Sequence, residues 1–99
     1  MVKLQVVWSD NSLFQLKDSL EYLKEKSPKS AFKVKSALLK TAKDLSKNSE
    51  TYAFDRFRKD NDGSFRSFEK YSFRVTYQIK DMQVLILRVR HTSREPLED

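Results

Sequence analysis

The sequence of 99 residues predicts an α+β domain with the element order β-α-α-β-β-β, in which a helical hairpin packs on a curved, largely antiparallel sheet of four strands. Two patterns support this fold class. Apolar residues recur at spacings of three and four along residues 13–45, as on amphipathic helices. They alternate along much of residues 65–91, as on strands with one buried face. Residues 1–99 are therefore predicted to form a single domain.

The first strand is predicted over residues 2–8, where four apolar side chains alternate onto one face. These are Val2, Leu4, Val6 and Trp8. The polar sequence SDNS follows and offers residues that cap helices. Ser12, with Gln15 three positions later, fits a capping box and predicts the start of the first helix.

Two amphipathic helices follow, and Pro28 separates them. The apolar stripe of the first helix consists of Leu13, Leu16, Leu20 and Leu23. That of the second consists of Ala31, Val34, Leu38, Ala42 and Leu45. A proline disfavours helical geometry in the residue before it and suits the first turn of a helix, so the first helix should end near Ser27. The two helices form an αα-hairpin.

Three strands are predicted in the second half of the chain, over residues 65–71, 73–80 and 84–91. Before them, residues 48–64 mix aromatic and charged side chains and contain a turn signal, Asn-Asp-Gly. Part of Tyr52–Arg58 is predicted to be an extended arm that pairs with the next strand.

The hydrophobic pattern selects a register for the last hairpin, with a three-residue loop at residues 81–83. The expected pairs are Val75 with Val89, Tyr77 with Leu87, and Ile79 with Leu85. The opposite face, predicted to be open and basic, then places Arg74 across from Arg90 with Arg88 beside them. Because directly opposed like charges are destabilising, we expect Glu69, a ligand or a partner to neutralise them.

The composition excludes several kinds of chemistry and favours an anionic partner. The formal net charge is +6, and residues 24–47 hold eight lysines but two acidic residues. Such a charge attracts nucleic acid or an acidic protein. With no cysteine and a single histidine, disulfides are excluded, and neither a metal site nor a cofactor is expected. No apolar stretch is long enough to cross a bilayer or to act as a secretory signal, so we expect a cytoplasmic location.

The element order, the segment FRVTYQI at residues 73–79 and the ending ILRVRHTSREP at residues 86–96 resemble the RelE/ParE superfamily, the toxins of bacterial type II toxin–antitoxin modules. The resemblance implies a toxin that arrests growth and a cognate acidic antitoxin that neutralises it. RelE-like members cleave messenger RNA on the ribosome, whereas ParE-like members inhibit DNA gyrase and are not known as nucleases. We expect RelE-like cleavage. Gyrase inhibition is the alternative, and a plain basic module that binds nucleic acid is a third hypothesis.

The resemblance also suggests catalytic residues. Arg74 matches an arginine that contacts the scissile phosphate in RelE, and Arg94 matches a second functional arginine. His91 lies where YoeB-like toxins place a general acid, and an unperturbed histidine, with a pKa of about 6.5, carries protons readily near neutral pH. Both guanidinium groups would stabilise the charge that develops on phosphate, and Glu69 would hold Arg74 or act as a base.

Three further arginines are candidates for binding the substrate or the partner. Arg88 and Arg90 are expected to contact the acidic antitoxin. Arg66 lies near the place where RelE carries paired lysines, but its neighbours Phe65 and Ser67 show that the lysine pair itself is missing here. This difference keeps the gyrase alternative open. On an open face, Arg74→Ala is expected to abolish toxicity and to leave the fold nearly intact.

Overall fold

The computed structural model describes residues 3–52 and 61–92, and its elements follow the predicted order. They are β1 (Gln5–Trp8), α1 (Asp10–Lys26), α2 (Pro28–Asn48), β2 (Phe65–Lys70), β3 (Phe73–Lys80) and β4 (Gln83–His91). The strands form one mixed sheet in the order β1-β4-β3-β2, in which β1 runs parallel to β4 and the other pairs are antiparallel. This confirms the predicted fold class. Of the extended arm predicted over Tyr52–Arg58, only Tyr52 belongs to the described residues.

Helix α1 begins earlier than the capping box predicts. Ser9 is the N-cap, and its side chain accepts a hydrogen bond of 3.0 Å from the Ser12 backbone N–H. Ser12 is buried in the first turn, where its hydroxyl donates to the Ser9 carbonyl. The predicted partner, Gln15, instead accepts a bond of 2.8 Å from the Val89 N–H and so ties α1 to β4. The capping box was therefore wrong, because Ser9 reaches the first free N–H groups before Ser12.

The helical hairpin forms where Pro28 predicts it. Ser27 ends α1 and caps α2, and Pro28 occupies the first turn of α2. All five predicted apolar residues of the α2 stripe are buried. On α1, Leu16 is buried, but Leu13 is 46% exposed and does not belong to the core. Leu13 lines a groove between the two helices instead of facing the sheet.

The core lies between the helical hairpin and one face of the sheet. The sheet contributes seven buried side chains: Phe68, Phe73, Val75, Tyr77, Val84, Ile86 and Val89. The helices contribute five: Leu16, Val34, Leu38, Ala42 and Leu45. Burying these side chains is the main favourable contribution to folding, at roughly 1.5–3 kcal/mol for each large aliphatic or aromatic side chain.

The β3–β4 hairpin departs from the predicted register at its turn. Lys80 pairs with Gln83, so the loop contains two residues, Asp81 and Met82, both with positive φ. Positive φ at both central positions is the geometry of a tight hairpin turn whose twist matches that of the strands. The prediction of a three-residue loop was therefore wrong.

A β-bulge restores the register further along the hairpin. Tyr77 pairs with Ile86 and Thr76 pairs with Arg88, so Leu87 is the extra residue between them. The predicted Tyr77–Leu87 and Ile79–Leu85 pairs were thus wrong, because the shorter loop shifts the strand and the bulge shifts it back. Beyond the bulge, Val75 pairs with Val89 and Arg74 with Arg90, as predicted.

Candidate functional site

The arginine face, which is the sheet face carrying Arg74, Arg88 and Arg90, lies opposite the helices. Arg90 is directly across from Arg74, and Arg88 is across from the buried Thr76. Side chains of directly paired residues lie on the same face of a sheet, so the three arginines are neighbours as predicted. Strand β2 adds Ser67 and Glu69 to this face, which explains how the opposed positive charges are tolerated.

Arg74 is held by two side chains of β2. One guanidinium nitrogen, Nη1, donates a hydrogen bond of 2.9 Å to the Ser67 hydroxyl. The other, Nη2, forms an ion pair of 3.3 Å with Oε1 of Glu69, which is also its partner in the β2–β3 register. Glu69 therefore neutralises Arg74, which is one of the three possibilities that the sequence left open.

The prediction that this face is open was wrong at Arg74. Its relative exposure is 6%, whereas the Glu69 side chain is 49% exposed. Within the described part of the chain, the Nε of Arg90 is also buried and forms no hydrogen bond. A buried guanidinium depends on its partners far more than an exposed one does, because water no longer solvates it.

His91 lies on the opposite face of the sheet from Arg74. It pairs with Phe73, and the two rings meet edge to face with centroids 5.2 Å apart. It also lines a pocket together with residues of α1 and α2, among them Tyr22 and Lys26. The structure therefore does not bring Arg74 and His91 together, since the sheet itself lies between their side chains.

Arg66 is likewise separated from the arginine face. It pairs with Tyr77, and its Nη1 donates a hydrogen bond of 2.7 Å to the carbonyl of Tyr52. The hydroxyl of Tyr77 donates to the Ser49 carbonyl at 2.6 Å. Both side chains thus hold the backbone that follows α2. The fifth candidate arginine, Arg94, lies outside the described residues.

Burial changes the acidity of Tyr77. Its side chain is fully buried in the core, and this burial raises the pKa of its hydroxyl above the usual value near 10. The charged form would lose its hydration inside the core, so the neutral hydroxyl is favoured. Tyr77 is therefore a structural residue, as its alternation with Val75 and Ile79 predicts.

An apolar groove runs along the outside of the helical hairpin. It encloses about 650 Å³, and its apolar lining includes Leu13, Leu16, Leu20, Ala31 and Phe32. Its charged lining consists of Lys17, Glu21, Lys24 and Lys35. Phe32 is 73% exposed, which is unusual for a large aromatic side chain. The apolar spacing in the sequence did not predict this groove, although Phe32 lies beside the α2 stripe.

Neither a metal site nor a membrane span is found in the part of the chain that the structure describes. Residues 3–52 and 61–92 contain no group of three or more histidine, cysteine or carboxylate side chains that could hold a metal ion. Over the same ranges, neither helix combines the length and the apolar character that crossing a bilayer requires.

Comparisons with known proteins identify the family. The model of the family described as the ParE toxin of the type II toxin–antitoxin system, parDE, matches residues 6–96. The chain belongs to the ParE toxin family. The predicted resemblance to the RelE/ParE superfamily is thereby confirmed, and with it the prediction of a toxin of a type II toxin–antitoxin system.

Solved structures of toxin–antitoxin systems share the fold. The chromosomal ParDE system from P. aeruginosa matches with a TM-score of 0.73 and 16% identity, over 92% of this chain and 98% of that one. The RelBE2 complex from Mycobacterium tuberculosis matches with a TM-score of 0.62 and 22% identity, over 91% and 99%. No match to this chain is found among the curated proteins. At these identities the structural likeness establishes the fold alone.

Proposed function

We propose that this ParE-family toxin arrests growth by binding and inhibiting DNA gyrase, and that it does not cleave messenger RNA. The observation that carries the proposal is the separation of Arg74 from His91 by the sheet. The sequence favours RNA cleavage because these two residues match catalytic positions of nucleases. Their placement on opposite faces favours the alternative.

Cleavage through the 2′-hydroxyl needs several groups around a single phosphate. A base must take the proton of the hydroxyl, a cation must stabilise the developing charge, and an acid must protonate the leaving oxygen. Arg74 could supply the cation and His91 the acid only if both side chains reached the same phosphate. The backbone of β3 and β4 lies between them, and Glu69 and Ser67 already occupy the Arg74 guanidinium.

A toxin without catalytic residues must act through a surface. The helical hairpin offers a suitable one, because it combines exposed apolar side chains with lysines. Phe14 and Phe32 are 67% and 73% exposed, and the groove between the helices has three lysines in its lining. Large exposed apolar patches with polar rims are typical of protein-binding surfaces.

The partner that we propose for the groove is the cognate antitoxin, through an acidic amphipathic segment. The apolar floor would take the apolar side chains of that segment, and Lys17, Lys24 and Lys35 would face its carboxylates. The arginine face is a poorer candidate, because Arg74 is buried and already paired with Glu69. The groove therefore fits the antitoxin better than the sheet does.

Two assays run side by side test the proposed target. In a gyrase supercoiling assay the purified toxin should block supercoiling in proportion to its concentration, and His91→Ala should block it equally well. In a reconstituted translation reaction the messenger should remain intact at the same toxin concentrations. Ribosome-dependent cleavage that His91→Ala abolishes would instead establish the RelE-like mechanism. Binding to nucleic acid without growth arrest would favour a plain basic module.

A further inference from the structure

A second pocket lies at the end of the helical hairpin, on the helix face of the sheet. It encloses about 560 Å³, within the range of small-molecule sites. The last turns of α1, the first turns of α2 and the β2–β3 turn form its walls. His91 and Phe73 contribute from the sheet. The pocket shares no lining residue with the groove proposed for the antitoxin.

Aromatic rings and cations are paired around this pocket. The ammonium of Lys26 lies 4.8 Å from the centroid of the Tyr22 ring, and that of Lys33 lies 5.2 Å from the centroid of Tyr71. Phe73 and His91 add a pair of rings in edge-to-face contact. Both tyrosines are at least half exposed. The site therefore offers flat apolar surfaces beside positive charge.

The charge of the lining favours an anion. Lys26 belongs to the lining, and none of the residues described in it is acidic, whereas Glu21 lines the groove between the helices. A hydrogen bond with the Tyr22 hydroxyl raises the pKa of Lys26 above its ordinary value. Ser19, Ser30 and Ser72 add hydroxyl groups that both donate and accept hydrogen bonds.

The turn that carries Tyr71 adds a separate observation. Tyr71 and Ser72 have φ values of 49° and 68°, a conformation that glycine and asparagine adopt readily and bulky residues rarely do. A tyrosine here destabilises the turn compared with asparagine. What it supplies in return is an exposed ring in the wall of the pocket, beside Lys33.

We propose that this pocket binds a nucleoside monophosphate. The base stacks on the ring of Tyr71, the phosphate lies at Lys26, and the serine hydroxyls contact the ribose. Each part of the ligand matches a part of the lining: rings for the base, the Lys26 ammonium for the phosphate and hydroxyls for the sugar. The proposal concerns a ligand of the toxin and does not depend on whether gyrase is the target.

Two substitutions with matched controls test the site in the purified full-length toxin. Tyr71→Asn removes the ring and should relieve the strained turn; Met82→Asn makes the same change in the other hairpin turn, away from the pocket. Lys26→Glu reverses the charge in the pocket, and Lys40→Glu does so at an exposed position on α2. Isothermal titration with AMP and CMP measures affinity, and thermal melting confirms the fold.

We expect Tyr71→Asn to weaken nucleotide binding about tenfold, the size of one base–aromatic stacking contact, without lowering the melting temperature. Lys26→Glu should weaken the binding of AMP and leave the binding of adenosine unchanged. Both control variants should bind the nucleotides as the wild type does. Inorganic phosphate should bind weakly. Titration with a short oligoribonucleotide distinguishes a free nucleotide from the end of an RNA strand.

Three results would overturn the proposal. The first is no heat of binding with either nucleotide at millimolar concentration. The second is nucleotide binding that Tyr71→Asn and Lys26→Glu both leave unchanged. The third is loss of antitoxin binding in these two variants, together with no nucleotide binding in the wild type; this would assign the pocket to the antitoxin.

Discussion

Positively charged side chains have different surroundings on the two faces of the sheet. On the arginine face, the Arg74 guanidinium is buried, paired with Glu69 and bonded to Ser67. On the helix face, the apolar core ends at a pocket where His91 meets Phe73 and where Lys26 is exposed. Successive residues of one strand, such as Phe73 and Arg74, therefore lie in different environments, because their side chains point to opposite faces of the sheet. A mechanism that needs Arg74 and His91 together would need one ligand to reach both faces.

The largest expected effect comes from Arg74→Ala, which should reduce the free energy of unfolding by about 2–3 kcal/mol. The substitution removes a buried group with hydrogen bonds to Ser67 and Glu69, and bonds that involve charged groups are worth about 1.5–3 kcal/mol. We discount the ion pair itself because half of Glu69 is exposed. Urea unfolding monitored by circular dichroism measures the change.

Arg88→Ala, on the same face, is the control for Arg74→Ala and should cost less, because Arg88 is only half-buried. Unchanged stability in Arg74→Ala would show that the two faces do not differ as described. Loss of toxicity in Arg74→Ala is informative about mechanism only if the protein remains folded.

The next largest effect tests whether the antitoxin binds at the helical hairpin or at the sheet. Phe32→Asp puts a carboxylate into the apolar groove and should weaken antitoxin binding by about 2 kcal/mol, the value typical of a central aromatic contact. Phe14→Asp changes an equally exposed ring on α1 that does not line the groove, and should have little effect. Titration calorimetry gives both affinities. A larger loss in Arg90→Ala than in Phe32→Asp would move the antitoxin to the arginine face.

A smaller effect is expected inside the core. Tyr77→Phe removes the hydroxyl that donates to Ser49 and should lower stability by about 1 kcal/mol near neutral pH. It should also change the dependence of stability on alkaline pH. Burial raises the pKa of Tyr77, so above a pH of about 10 the unfolded chain loses this proton while the folded protein keeps it.

The contribution of Tyr77 is thus complete below pH 10 and is lost as the pH rises toward the raised pKa. The melting temperature of Tyr77→Phe should therefore fall less steeply than that of the wild type as the pH rises from 9 to 11.5. Tyr71→Phe, on the exposed turn, serves as the control substitution. An identical slope in Tyr77→Phe would contradict the assignment.

The smallest effect is expected from His91→Ala. Its ring is half-buried and contacts Phe73 edge to face, so its removal should cost about 0.5 kcal/mol. Growth arrest on induction should be unchanged, because the proposed toxicity does not require a proton donor. A folded His91→Ala variant that no longer arrests growth would restore His91 to the mechanism and would refute the proposed division between the two faces.

Hydrophobic periodicity was sufficient to predict the fold, because both helices and the last three strands each present an apolar face to the core. It was not sufficient for the last hairpin. The loop at Asp81 and Met82 lacks the glycine or asparagine that usually marks a two-residue turn, and the bulge at Leu87 has no local sequence signal. The two deviations compensate each other, which is why the Val75–Val89 pair was nevertheless predicted correctly.

The candidate site was predictable in part. The predicted register already placed His91 across from Phe73, so its separation from Arg74 follows from alternation and could have been inferred from the sequence. The Glu69–Arg74 pair is likewise a consequence of a short β2–β3 connection. The burial of Arg74 is different, since it depends on the three-dimensional surroundings of the sheet. The groove along the hairpin depends on how α1 and α2 pack, which the spacing of leucines does not specify.

The parallel pairing of β1 with β4 also determines when the molecule can be completed. Gln5 pairs with Gln83 and Trp8 with Ile86, so β1 can join the sheet only after β4 has been synthesised. Contacts between residues this far apart in the chain form late, because the entropy of closing a long loop must be overcome first. A nascent toxin therefore lacks its finished sheet until β4 has been synthesised. An antitoxin that is already folded would therefore have time to bind the toxin before the toxin is able to act.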